Sequence, residues 1–368
     1  MNSTTAPRTP TLVPTRADWR RDIPEPRRRR LRTWLWSIAA LTLGVLIVGG
    51  ITRLTESGLS IVDWDPLMGV IPPLDDAQWQ AAFDRYRQFP EYQQLRRGMT
   101  LSEFRFIFFW EYVHRLLARG IGVVFLVPFA AFAARGYFNR PLAARVLLLF
   151  GLGAMQGVMG WLMVASGLVD RPSVSHLRLA AHLSLAFLIF GYALWLIRDL
   201  STGAQQTAVA APVRRSLGRA SLLVGGLLGL QIIWGAFVAG LEAGFIFNTF
   251  PLMGGRLVPA TLLQLEPALR NFIDNPAAVQ WVHRVLGTVL ALAVAVVYLR
   301  VRRLDVDPAS RRLAGVLLAL VAAQYLLGVL TLLLHVPVSI AVVHQAAALV
   351  IFGAWTAWTH HVHNLRAA

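Results

Sequence analysis

The chain contains no cysteine and no lysine. Without thiols it can form no disulfide, thiolate zinc site, iron–sulfur cluster or covalent c-type haem attachment, so any metal must be held by histidine and carboxylate. Acids are scarce as well: 19 Asp and Glu face 35 basic residues, giving a formal charge of +16. In a soluble protein that imbalance would suggest nucleic acid. Here the arginines lie between apolar runs and in the N-terminal tail, which is the distribution of membrane topology signals and argues for no nucleic acid partner. The absence of lysine has no structural account; a codon bias toward Arg and Ala explains it and points to a bacterium.

What is abundant is apolar. Hydrophobic residues make up 56% of 368 positions, too many for an ordinary soluble chain of this length. A helix needs roughly 20 apolar residues to cross a bilayer core. Eight stretches qualify, at 33–52, 104–134, 143–165, 176–197, 219–240, 279–299, 313–334 and 339–358. The expected class is an all-α integral membrane protein. Residues 1–32 form an Arg-rich tail ending in Arg27, Arg28, Arg29 and Arg30, with no signal-peptide pattern, and read as a disordered cytoplasmic arm. Asp18, Asp22 and Glu25 argue against a mitochondrial transit peptide.

Short cytoplasmic loops accumulate positive charge. The tail and the loops holding Arg135 and Arg140, Arg198, Arg214 and Arg215, and Arg300, Arg302 and Arg303 fall on one side, so both termini are expected to be cytoplasmic in a bacterial inner membrane. The long loops 53–103 and 241–278 then face outward. Within the first, Trp79, Phe83 and Tyr86 are spaced as one face of an amphipathic helix on the outer surface, which Pro90 would end.

The sequence repeats itself. Glu56, Ser57, Gly58 and then Pro66-Leu67-Met68-Gly69 are matched by Glu242, Ala243, Gly244 and then Pro251-Leu252-Met253-Gly254. Tyr112-Val113-His114-Arg115 is matched by Trp281-Val282-His283-Arg284. Gln156, Gly160, His182 and Phe190-Gly191 are matched by Gln324, Gly328, His344 and Phe352-Gly353. Such duplication, with four spans per copy, predicts two pseudo-symmetric four-helix bundles in the same orientation, covering 33–200 and 219–359.

Each copy carries one histidine in its second span and one in its fourth: His114 and His182, then His283 and His344. Two imidazoles from separate helices at similar depth can clamp a haem iron from both faces. The alternative for any single membrane histidine is a hydrogen bond to a neighbouring helix, which duplication of all four makes unattractive. Arg115 and Arg284 directly follow a candidate ligand. Each is a candidate propionate partner, the alternative being snorkelling or a bond to a helix carbonyl. His176 and His335 lie at outer helix ends and read as loop hydrogen-bonders or as neighbours of a haem edge; His360, His361 and His363 read as a solvated cytoplasmic end.

One position breaks the repeat. Glu111 stands three residues before His114, where the second copy has Gln280 before His283. A carboxylate can exchange protons and an amide cannot. Glu-x-x-His also occurs in di-iron carboxylate bundles, but those need further inward acids that this chain lacks. The asymmetry assigns chemistry to the first half and an electron-transfer haem to the second.

Over residues 34–361 the chain resembles the haem A synthase family. The resemblance rests on Thr52-Arg53-Leu54-Thr55-Glu56-Ser57-Gly58-Leu59-Ser60, Pro66-Leu67-Met68-Gly69 with Pro72 and Pro73, Glu111-Tyr112-Val113-His114-Arg115, Arg178 through His182, and His335 through Gln345. It implies that His283 and His344 ligate haem b, that His114 and His182 hold a substrate haem, and that Glu111 is catalytic. The implied reaction oxidises one methyl of haem O to a formyl group by two hydroxylations, giving haem A for cytochrome oxidase. Some members carry a cysteine pair in the first outer loop; this chain resembles the cysteine-free proteobacterial and mitochondrial class. Implied partners are haem O synthase, an electron-transfer partner, the lipid bilayer and, left open, a second copy in a homo-oligomer. Two other readings use the same ligands: a di-haem b-type electron carrier that transforms no substrate, and a haem exporter or chaperone.

Overall fold

The computed structural model describes residues 19–20, 22–62, 69–169, 172–201 and 208–367. In chain order the helices are α1 (Glu25–Leu54), α2 (Asp76–Tyr86), α3 (Pro90–Leu95), α4 (Leu101–Ala134), α5 (Arg140–Ala165), α6 (His176–Ser201), α7 (Ala211–Gly240), α8 (Asn271–Asp274), α9 (Pro276–Arg303), α10 (Pro308–Leu333) and α11 (Val338–His363). Eight of these, α1, α4 to α7 and α9 to α11, are long and apolar enough to cross a bilayer, and each contains the apolar core expected from the sequence. The protein is a multi-pass, all-α membrane protein. A two-residue parallel pair, β1 (Ala208–Val209) and β2 (Arg366–Ala367), ties the approach to α7 to the C-terminal end.

The spans start where local chemistry tells them to. Thr100 and Glu103 form a reciprocal capping box at the start of α4. The Asn139, Asn275 and Asp307 side chains accept from first-turn amides of α5, α9 and α10, and each of these helices has proline at its first or second position, where a missing N–H costs nothing. The start of α1 differs from expectation. It begins at Glu25, so Arg27 to Arg30 are helical and do not belong to the tail. Glu25 bridges Arg28 at 2.7 Å and Arg32 at 2.8 Å, which offsets repulsion along the basic turn. Residues 1–18 of the expected tail lie outside the described residues.

Helix order follows from how much of each span is covered. In α6 50% and in α1 39% of the apolar window is buried by protein, against 6% in α4 and 11% in α5 and α10. The first and fourth spans of each repeat therefore form the interior, and the second and third show leucine and valine such as Val123, Leu147 and Leu326 to lipid. α1 packs on α4, α6 and α11; α7 packs on α9, α6 and α11; and α6 meets α11. At that last contact the two Phe-Gly pairs interlock. A Cβ on Gly191 would fall 2.5 Å from the Phe352 ring, and one on Gly353 would fall 3.1 Å from the Phe190 ring.

In loop 53–103 Trp79, Phe83 and Tyr86 form the expected apolar face of α2, but they pack on Phe104 and Phe108 of α4. Pro90 follows the end of α2 and opens α3, because a proline that cannot continue one helix fits the first turn of the next. In the second outer loop the side chain of buried Asn271 accepts from the amides of Gln264 and Leu265 and donates to the carbonyls of Leu265 and Ala268.

Candidate functional site

The candidate histidines sit in α4 (His114), α6 (His182), α9 (His283) and α11 (His344), each half-buried. Charge interaction links His182 to His114 and His283 to His344, so the fold brings them together as two pairs. Every ring turns its Cε1 edge to a glycine of a neighbouring helix. A Cβ would fall 2.8 Å from His114 Cε1 at Gly49 of α1, 3.1 Å from His182 Cε1 at Gly160 of α5, 3.0 Å from His283 Cε1 at Gly235 of α7, and 2.9 Å from His344 Cε1 at Gly328 of α10. Gly160 and Gly328 belong to the repeat read from the sequence. Gly49 and Gly235 were missed, although they are separated by the same interval as Glu56 and Glu242.

Nδ1 is buried in all four histidines; the rings of His114, His182 and His283 bond to the backbone of Val45, Gln156 and Gln231, and Nδ1 of His344 has no protein partner. A buried imidazole nitrogen without a partner is costly unless something else takes up the ring. Nε2 of His182 lies 3.3 Å from Gln156 Nε2, and Nε2 of His283 lies 3.3 Å from Gln231 Nε2. Gln324, the repeat partner of Gln156, donates instead to the His344 backbone carbonyl at 2.9 Å. Among the described residues no group of three or more His, Cys, Asp or Glu gathers, so the donor set offered is a pair of imidazoles. That set fits a six-coordinate haem and not a carboxylate-rich di-iron centre.

Glu111 is 2% exposed. Its Oε2 accepts from the Ser60 hydroxyl at 2.6 Å and the Ile61 amide at 2.8 Å, and its Oε1 accepts from Arg115 Nη2 at 2.6 Å. The same guanidinium donates to the Ile61 carbonyl at 2.8 Å. Arg115, read from sequence as a propionate partner, is thus engaged by the neighbouring acid, a pairing at i and i+4 that the sequence contained and the reading did not draw.

The second half repeats the frame without the acid. Arg284 donates to the Phe247 carbonyl at 2.7 Å and the Thr249 carbonyl at 2.8 Å, and Gln280 Nε2 also reaches the Phe247 carbonyl at 3.1 Å. Phe247 occupies the repeat position of Ile61, and Ile246 occupies that of Ser60. Ser60, the donor on Glu111, was not singled out from the sequence; the mismatch of Ser60 with Ile246 in an otherwise repeated block was the available signal.

His176 pairs with Asp274 at 3.2 Å, and His335 takes a left-handed backbone, φ 60°, where α10 gives way to α11. The C-terminal end of α11 is not wholly a solvated tail. α11 runs to His363, His360 is fully buried with Nε2 2.9 Å from Asp199, and His361 lies 3.2 Å from Asp307. Continuation of the helix carries these rings back into the bundle, which loop-like polarity did not reveal.

Eight helical spans with buried imidazole pairs, set on glycine pads and accompanied by one protected carboxylate, define an integral membrane protein suited to haem chemistry. A family model described as cytochrome oxidase assembly protein matches residues 32–356. The chain is 44% identical to the heme A synthase of Nitrosospira multiformis, over 89% of this chain and 92% of the relative. It is 48% identical to that of Rhodospirillum centenum, over 91% and 88%, and 44% identical to that of Parvibaculum lavamentivorans, over 90% and 93%. The chain belongs to the haem A synthase family, in its cysteine-free form.

Proposed function

We propose that this chain is an oxidoreductase that converts haem O to haem A, with the reaction in the N-terminal half and a haem b in the C-terminal half. The observation that carries the division of labour is Glu111. Only the first half has an acid there, and Ser60, the Ile61 amide and Arg115 hold it in place. A second half with Gln280 and Ile246 in the same frame is suited to holding a cofactor and not to moving a proton.

On this reading the units 33–200 and 219–359 are pseudo-symmetric four-helix bundles about an axis along the membrane normal. The interlocked Phe190-Gly191 and Phe352-Gly353 pairs and the four histidine pads at matched repeat positions support it. His283 and His344 would hold haem b, which when bound would supply one-electron transfer. His114 and His182 hold the iron of substrate haem O. Arg284 and Arg115, each directly following a ligand histidine, are the proposed propionate partners. Conversion of the substrate methyl to a formyl group consumes an oxidant and an oxygen atom supplied from outside this chain, and Glu111 would take up the protons released. Arginine placement puts both termini in the cytoplasm of a bacterial inner membrane. A haem O synthase must supply the substrate, and a membrane or soluble electron-transfer partner must serve the second half.

The test is Glu111→Gln, expressed in cells that make haem O. Gln280 shows that an amide fits this frame. The variant is expected to keep haem b and bound haem O and to make little or no haem A. Near-normal haem A would remove Glu111 from the chemistry, and haem b alone in the wild-type protein would favour a plain electron carrier.

A further inference from the structure

We propose that Ser60 is the positioning residue of the catalytic acid: its buried hydroxyl fixes the orientation of the Glu111 carboxylate, and the reaction depends on it. The proposal rests on the assignment of the chemistry to Glu111.

Ser60 is 2% exposed. It comes from the outer loop, whereas Glu111 comes from α4, so the contact fixes the acid from outside its own helix. The 2.6 Å separation of Ser60 Oγ from Glu111 Oε2 is that of a charge-assisted O–H···O⁻ bond. A second acceptor, the Ser57 carbonyl, lies 3.2 Å away. A hydroxyl has one proton and two acceptor sites. It can therefore donate to the ionised acid, or turn to the Ser57 carbonyl and accept from the protonated one, keeping Glu111 in place through a proton cycle. The Ile61 amide can serve only the first of these states, because it cannot accept. Arg115 holds the other oxygen. With Ser60 removed, Oε2 keeps one donor, and rotation about the last side-chain torsion becomes easier.

The internal duplicate is a control made by the protein itself. Ile246 stands where Ser60 does and Gln280 where Glu111 does. An amide could have accepted from a serine as well as a carboxylate does, so nothing about Gln280 forces the hydroxyl out. Acid and hydroxyl are present together in one half and absent together in the other.

Ser60→Ala, Ser60→Thr and Glu111→Gln would be purified from cells that make haem O. Extracted haem A, haem O and haem b would be measured at equal protein, with infrared difference spectra of protein carrying ¹³C-labelled glutamate. Ser60→Ala is expected to keep haem b and bound haem O and to lower haem A roughly ten- to a hundredfold, the effect of losing one hydrogen bond to a charged group. It should also shift the carboxylate band that Glu111→Gln abolishes. Ser60→Thr keeps the hydroxyl, so that variant should recover most haem A and return the band toward its original position. If Ser60→Ala loses haem b, Ser60→Cys carries the same expectations, with near-native volume and a weak donor in a chain free of other thiols. Normal haem A in Ser60→Ala, an unmoved band, or a threonine variant no better than alanine would overturn the proposal while leaving Glu111 standing. Normal haem A in Glu111→Gln would overturn the assignment beneath it.

Discussion

Consider a single methyl added beside His283, the proposed haem b ligand, in Gly235→Ala. Its Cβ would lie 3.0 Å from His283 Cε1 and 3.6 Å from Nδ1, where carbon–carbon contacts prefer roughly 3.5–4.0 Å. The imidazole must retreat by roughly half an ångström or more. Overpacking of this kind costs about 1–3 kcal/mol, which corresponds to roughly 5- to 150-fold weaker haem b binding. Alanine also favours a helix over glycine by about 1 kcal/mol, so a matched control is needed. Gly229 of α7 supplies it, since a Cβ there meets nothing within 4 Å. Haem b per protein would be measured by its alkaline pyridine spectrum during titration against a haem-binding competitor. Gly229→Ala should match wild type, Gly235→Ala should fall between wild type and His283→Ala, and Gly328→Ala under His344 should behave like Gly235→Ala. Wild-type retention in both pad variants would refute the assignment of these rings to haem b or the role of the glycines.

Two further outcomes are expected. Burial pushes the Glu91 carboxyl in α3 up to about 7, despite the Tyr86 hydroxyl donating to it at 3.1 Å and the Arg96 charge nearby. The folded state therefore holds a proton that the unfolded chain releases, so the packing of α2 and α3 should lose up to about 3 kcal/mol as pH rises from about 4.5 through 7, with little further loss above. Proteolysis of loop 53–103 against pH should show this slope in the wild type and not in Glu91→Gln. For topology, a reporter active only outside the cell should be silent when fused after Ala368 and active near Gly98; the reverse pattern would invert the depth assigned to all four histidines.

Much of this was legible in the sequence because bilayer physics is local. An apolar run of some 20 residues in lipid must satisfy its own backbone, so it is a helix, and the eight spans follow. The repeat, the four histidines and the Glu111 to Gln280 mismatch are likewise properties of order along the chain. Hydropathy places a residue in the membrane, however, and not beside a particular neighbour. That Arg115 turns to Glu111, that Ser60 reaches the same carboxylate from the outer loop, that His360 and His361 fold back onto Asp199 and Asp307, and that Gly49 and Gly235 lie under ligand rings were decided only when the spans packed. Lateral contacts between helices are selected by the fit of side chains on facing surfaces. A buried polar group takes whichever partner that packing brings within reach, and the sequence alone names the groups without naming the partner.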